Sequence, residues 1–84
     1  MNTRHKRTLV LIFSDPVSKN IPWRDLELLL VHIGAEIIEG RGSRVSFVKN
    51  GHIASFHRPH PAKEAKPYQI KDARNFLMHL GYQP

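Results

Sequence analysis

Arg44-Val45-Ser46-Phe47-Val48-Lys49-Asn50-Gly51-His52-Ile53-Ala54-Ser55-Phe56-His57 is the stretch on which the fold turns. Alternation through 44–49 and again through 52–57 has the period of strands that bury one face. Asn50-Gly51 between them is the dipeptide that tight hairpins favour, because both central turn positions need positive φ. With those two residues at the turn, register follows. Lys49 faces His52, Val48 faces Ile53, Phe47 faces Ala54, Ser46 faces Ser55, Val45 faces Phe56 and Arg44 faces His57. Val45, Phe47, Ala54 and Phe56 then form the core face. Arg44, Ser46, Ser55 and His57 lie on the other, beside Val48 and Ile53.

Upstream, Ala35 to Glu39 is a third strand candidate and leads into the glycine-rich turn Gly40-Arg41-Gly42-Ser43. Before it, Leu26, Leu29, Leu30 and Ile33 fall on one stripe of a helix starting at Trp23, with Asn20 and Pro22 at its opening and Gly34 placed to end it. The first apolar run, Thr8-Leu9-Val10-Leu11-Ile12-Phe13, suits a buried strand or a short buried helix equally well. Downstream, His57-Arg58-Pro59-His60-Pro61 leads into a basic loop with Lys63 and Lys66. Pro67 precedes a last helix with an apolar stripe of Ile70, Ala73, Leu77 and Leu80, and Gly81 as terminator. With the first run read as a helix, the order is α-α-β-β-β-α. That is an α+β sandwich of two layers, with a three-stranded antiparallel sheet packed against helices.

Eighty-four residues supply one modest core, so 1–84 reads as a single domain. An apolar fraction of 40% and a charged fraction of 24% are those of a folding globular chain. The chain has no cysteine, hence no disulfide framework and no thiolate nucleophile, which suits a reducing cytoplasm. Leu9 to Phe13 is too short to span a bilayer, so no membrane association is expected. Charge is more informative by position than by sum. Through Gly40 five basic and five acidic residues cancel; after it eight basic residues stand against Glu64 and Asp72, which places the whole net charge of +6 in the second half. Such an asymmetric basic surface attracts polyanions, since neutralising phosphates releases condensed counterions.

Six histidines invite a chemical reading. His5 lies near the chain start, His32 and His79 lie within helices, and His52 follows the hairpin turn; none of these receives a role. His57 and His60 differ, because they flank Arg58 and Pro59 where the third strand leaves the sheet, and strand-end loops present functional groups. A metal site fails on ligands: two imidazoles with Glu64 as the only nearby carboxylate fall short of the usual set, so neither metal nor cofactor is expected. Ser43, Ser46 and Ser55 lack a nucleophile elbow and an orienting Asp, and Gly40-Arg41-Gly42-Ser43 lacks the Walker lysine. RNA cleavage without metal needs less apparatus. The nucleophile is the RNA's own 2′-hydroxyl, and the protein supplies a base, an acid and cations around the phosphorane. Register sets Arg44 and His57 on one face with Cβ atoms about 5 Å apart, a phosphate-binding fork beside an acid/base group. The ordinary alternative is a pair of polar residues on a solvated sheet face.

From about Lys6 to Tyr82 the chain resembles the HicA family of small toxins from bacterial toxin–antitoxin pairs. The resemblance rests on His32-Ile33-Gly34-Ala35-Glu36 closing the Trp23 helix, on Gly40-Arg41-Gly42-Ser43-Arg44-Val45-Ser46-Phe47, and on Pro59-His60-Pro61-Ala62-Lys63-Glu64-Ala65-Lys66-Pro67. These follow the family's order of Leu-Gly, then Gly-Ser-His-x-x-Phe, then a Pro-and-His loop running into Lys-Glu-Leu-Lys. The resemblance implies a fold like the double-stranded RNA-binding domain, helix for the first apolar run, metal-independent cleavage of mRNA that arrests growth, and a HicB-type antitoxin as partner. The family's catalytic histidine is the one in Gly-Ser-His, and this chain has Arg44 there. Arginine cannot act as a general base at neutral pH, so that role does not carry over. The expected site is therefore His57 and His60 for proton transfer, with Arg41, Ser43, Arg44, Arg58, Lys63 and Lys66 on RNA. A non-catalytic RNA-binding module and a basic protein-interaction domain are the alternatives.

Overall fold

Six elements follow one another along residues Met1–Pro84, all described by the computed structural model: α1 (Thr3–Ile12), α2 (Trp23–His32), β1 (Glu36–Glu39), β2 (Arg44–Lys49), β3 (His52–His57) and α3 (Pro67–His79). The sheet is antiparallel in the order β1-β2-β3. Asn50 and Gly51 both take positive φ, +50° and +79°, as the tight turn requires. All six β2–β3 pairs from Lys49–His52 to Arg44–His57 stand in the register read from the sequence.

The core lies on one face of this sheet. Val45 and Phe47 are fully buried and Ala54 and Phe56 nearly so, whereas Ile53 on the opposite face is 67% exposed. Trp23 of α2 and helix α3 pack on this face, α1 packs on α2 and α3, and the elements follow the α-α-β-β-β-α order expected above. Phe56 packs edge-on against Trp23 of α2 and Phe47, with ring centroids 5.2 and 5.9 Å apart. The Leu26, Leu29, Leu30 and Ile33 stripe of α2 is buried as its spacing requires.

The ambiguous start is a helix. Thr8, Leu9 and Ile12 are its buried residues, at helical spacing, while Val10 and Leu11 are exposed. Asn2 caps the helix by accepting from the His5 N–H at 2.8 Å. Its far end is held by α3, since Arg74 donates to the carbonyls of Ile12 and Ser14, each at 2.9 Å. Gly34, at φ +95°, ends α2, and the Ala35 N–H still bonds the Leu30 carbonyl. β1 consequently begins at Glu36, one residue later than expected, because the helix terminus retains the Ala35 amide. In α3, Phe76 joins Ile70, Ala73 and Leu77 in the core, and Leu80 beyond the helix end is only half-buried.

Candidate functional site at the strand exit

The sheet ends, on the side away from the turn, at Arg44 and His57, and pairing runs one step further: the Arg58 N–H bonds the Ser43 carbonyl at 2.8 Å. That step brings the Ser43 hydroxyl within 3.4 Å of His57 Nδ1. The contact leaves Nε2 as the ring nitrogen directed elsewhere. On the neighbouring strand, Arg44 lies against Gly40, where an added Cβ would stand 3.1 Å from both Arg44 Cβ and Cγ. The Gly40 N–H also donates to the Arg44 carbonyl at 2.8 Å, and a side chain at position 40 would crowd that of Arg44. Ser43, Arg44 and His57 are thus brought together, all exposed, with Arg41 exposed in the preceding turn.

The chain beyond His57 is fixed by side chains from distant elements. Gln69, fully buried in the first turn of α3, donates to the His57 carbonyl at 2.8 Å and accepts from the Lys66 N–H at 3.0 Å. Arg58 spans two carboxylates. Its Nε donates to Glu27 of α2 at 2.9 Å, and its Nη1 to Glu39 of β1 at 2.7 Å, with further bonds from Nη2 to both. Glu27 also accepts from the Trp23 indole N–H at 2.8 Å. The hydrogen bond from Arg58 holds the Glu39 carboxyl below its usual range, and the two carboxylates raise the Arg58 guanidinium above its own. Arg58, expected on RNA, therefore has both edges of its fork turned inward.

Further along, the Trp23 N–H bonds the Lys63 carbonyl and the Ala65 N–H bonds the Ile21 carbonyl, both at 2.8 Å. His60, Lys63 and Lys66 accordingly sit exposed on an arch anchored at each end. His60 is on the arch, and the side-chain partner of His57 is Ser43. Nowhere do three imidazole or carboxylate groups converge as a metal's ligand set would.

Gln69, Glu27 and Glu39 were missed in the sequence reading. Gln69 carried a signal, standing three residues after the N-cap as in a capping box. Glu39 carried none, since its side chain is exposed and its place opposite Val45 is set by the β1–β2 register, which no turn signal in the sequence gives. The remaining histidines form two stacked pairs, His5 on His32 at 4.4 Å between centroids and His52 on His79 at 5.6 Å. His5 is therefore an ordered helix residue, and burial together with the nearby His32 lowers its pKa.

A family model for the HicA toxin of bacterial toxin-antitoxin matches residues 23–81, which spans α2, the whole sheet, the arch and α3. No curated protein and no solved structure matches the chain. No helix is long and apolar enough to cross a membrane. On the match over most of its length, the chain belongs to the HicA toxin family of toxin–antitoxin systems.

Proposed function

We propose that this toxin is a metal-independent endoribonuclease acting on mRNA in the cytoplasm and restrained by a HicB-type antitoxin. The observation that carries the reading is the exposed Ser43–His57 contact beside Arg44, on a strand end that Gln69 and Arg58 hold in place. The Ser43 hydroxyl at Nδ1 leaves Nε2 as the ring nitrogen for proton transfer with the substrate. His57 removes the 2′-hydroxyl proton and His60, on the arch, protonates the departing 5′-oxygen. The 2′-oxygen then forms the new bond to phosphorus as the 5′-oxygen bond breaks. Arg41, Arg44, Lys63 and Lys66 supply the cations that the dianionic phosphorane needs. Arg58 serves the site by holding the strand exit, since its donors are already engaged.

A second reading, an RNA-binding module without catalysis, is favoured by Arg44 at the family's histidine position. Incubating the purified protein with RNA in chelator separates the two. Cleavage is expected. RNA that stays intact, bound with an affinity falling steeply with salt, would support the module, and Arg44→His would then restore cleavage.

A further inference from the structure

Arg24, Glu27 and Leu28 stand at i, i+3 and i+4 of α2 and so share one face of that helix. With Trp23 and Arg58 they line a hollow of about 320 Å³ that takes no part in the cleavage chemistry above. Its place ties it to the site. Arg58 directly follows His57, and the Trp23 N–H bonds the Lys63 carbonyl at 2.8 Å, so the hollow borders both the strand exit and the arch.

What the hollow can hold follows from which groups are already engaged. Hydrogen bonds to a guanidinium lie in its plane. Arg58 spends them on Glu27 and Glu39, yet its side chain stays 30% exposed. An anion therefore finds almost no free donor on Arg58, whereas the flat guanidinium remains a surface on which a nucleobase stacks. Glu27 has an acceptor position to spare. Its Oε1 takes the Trp23 indole N–H and Arg58 Nε, and its Oε2 takes Arg58 Nη2, so of the roughly four lone-pair sites on a carboxylate one is left. An N–H of a base meets that acceptor; a phosphate oxygen is repelled by it. Arg24 and Arg58 are matched by Glu27 and Glu39, and such a balanced setting suits a neutral base whose phosphates lie on Arg41, Arg44 and Lys63.

We propose that this hollow is a nucleobase subsite, in which a base flanking the scissile phosphate stacks on the Arg58 guanidinium beside Arg24 and gives an N–H to Glu27. The proposal rests on the RNA-cleavage reading above. It makes the substrate an unpaired strand, because a base within a duplex has neither its faces nor its pairing edge free.

The test compares, in chelator, a short single-stranded RNA with strands of the same sequence that lack one base at a time near the cleavage position. At one flanking position the abasic strand should be cleaved roughly tenfold or more slowly than the intact one by wild-type protein, as stacking of a single base allows. Arg24→Lys, at an exposed position, keeps the charge and loses the planar group; it should bring the two rates within about threefold of each other. Equal rates on intact and abasic strands at every position overturn the subsite and leave the nuclease standing, and so does a rate ratio that Arg24→Lys leaves unchanged. Wild-type protein that cleaves none of the strands overturns the nuclease assignment, and Trp23, the chain's one tryptophan, then reports on the hollow. Its fluorescence should change with the intact strand far more than with the abasic one; an equal change, or none, overturns the subsite as well.

Discussion

The hairpin and the arch that follows it are joined at His57 but are held in opposite ways. The hairpin, residues 44–57, is specified by its own sequence: alternation, a turn dipeptide, and a core face of Val45, Phe47, Ala54 and Phe56. The arch has no pattern of its own and is placed by groups from elsewhere, namely Glu27, Glu39, Ile21, Trp23 and Gln69. One region is a rule of local chemistry; the other is a set of long-range attachments. The candidate site lies on the seam, with His57 from the first and His60 from the second.

The largest break in that comparison should come from the hairpin core. Phe47→Ala removes a fully buried ring that packs on Phe56. It should cost about 3–5 kcal/mol in denaturant unfolding, a large share of the stability of a chain of this size. His57→Ala, at an exposed position of the same hairpin, should leave the unfolding midpoint almost unmoved.

Arg58→Met should act next most strongly, and on the arch. It leaves the part-buried Glu27 without its cation. About 1–2 kcal/mol of stability should be lost, most of it through Glu27, because Glu39 is well exposed and its pair is screened. Arch amides should exchange faster while hairpin amides keep their protection. Uniform loosening of both regions would contradict the division drawn here.

Glu39→Gln sharpens the same point. Where Arg58 is a brace, RNA affinity should rise only slightly, as the loss of one exposed acid near a polyanion allows. A large rise that is lost when Arg58→Met is added would mean that the freed guanidinium reaches phosphate. The Glu39 pKa is lowered in the fold, so its contribution is present above the ordinary carboxylate range and lost as pH falls through the folded value. Glu39→Gln should flatten that acid limb.

The smallest effect lies in the α1–α2 contact. His5 has a lowered pKa. Above 6.5 both folded and unfolded states are neutral; below it the unfolded chain takes the proton first, so stability declines as pH falls from 6.5 toward the folded value. His32→Ala should return the His5 titration toward 6.5 by NMR.

Legibility in the sequence follows the same division. Register, core face and α2 stripe were readable because strand and helix periods are local. The first helix was not decided by its own run, since five consecutive apolar residues fit either period; its Asn2 cap and the Arg74 bonds from α3 set it in place. At the site, proximity of Ser43, Arg44 and His57 follows from register. The inward turn of Arg58 does not, because its partners lie 31 and 19 residues away in sequence.

We assign proton transfer to His57 and His60, at a site where the resemblance implies a histidine and this chain has Arg44. The most direct test is the rate of RNA cleavage in chelator by wild-type protein and by the variant carrying both His57→Ala and His60→Ala. Wild-type protein should cleave, and the folded double variant should lose roughly a hundredfold or more of that rate while still binding RNA. Full cleavage by the double variant would contradict the assignment.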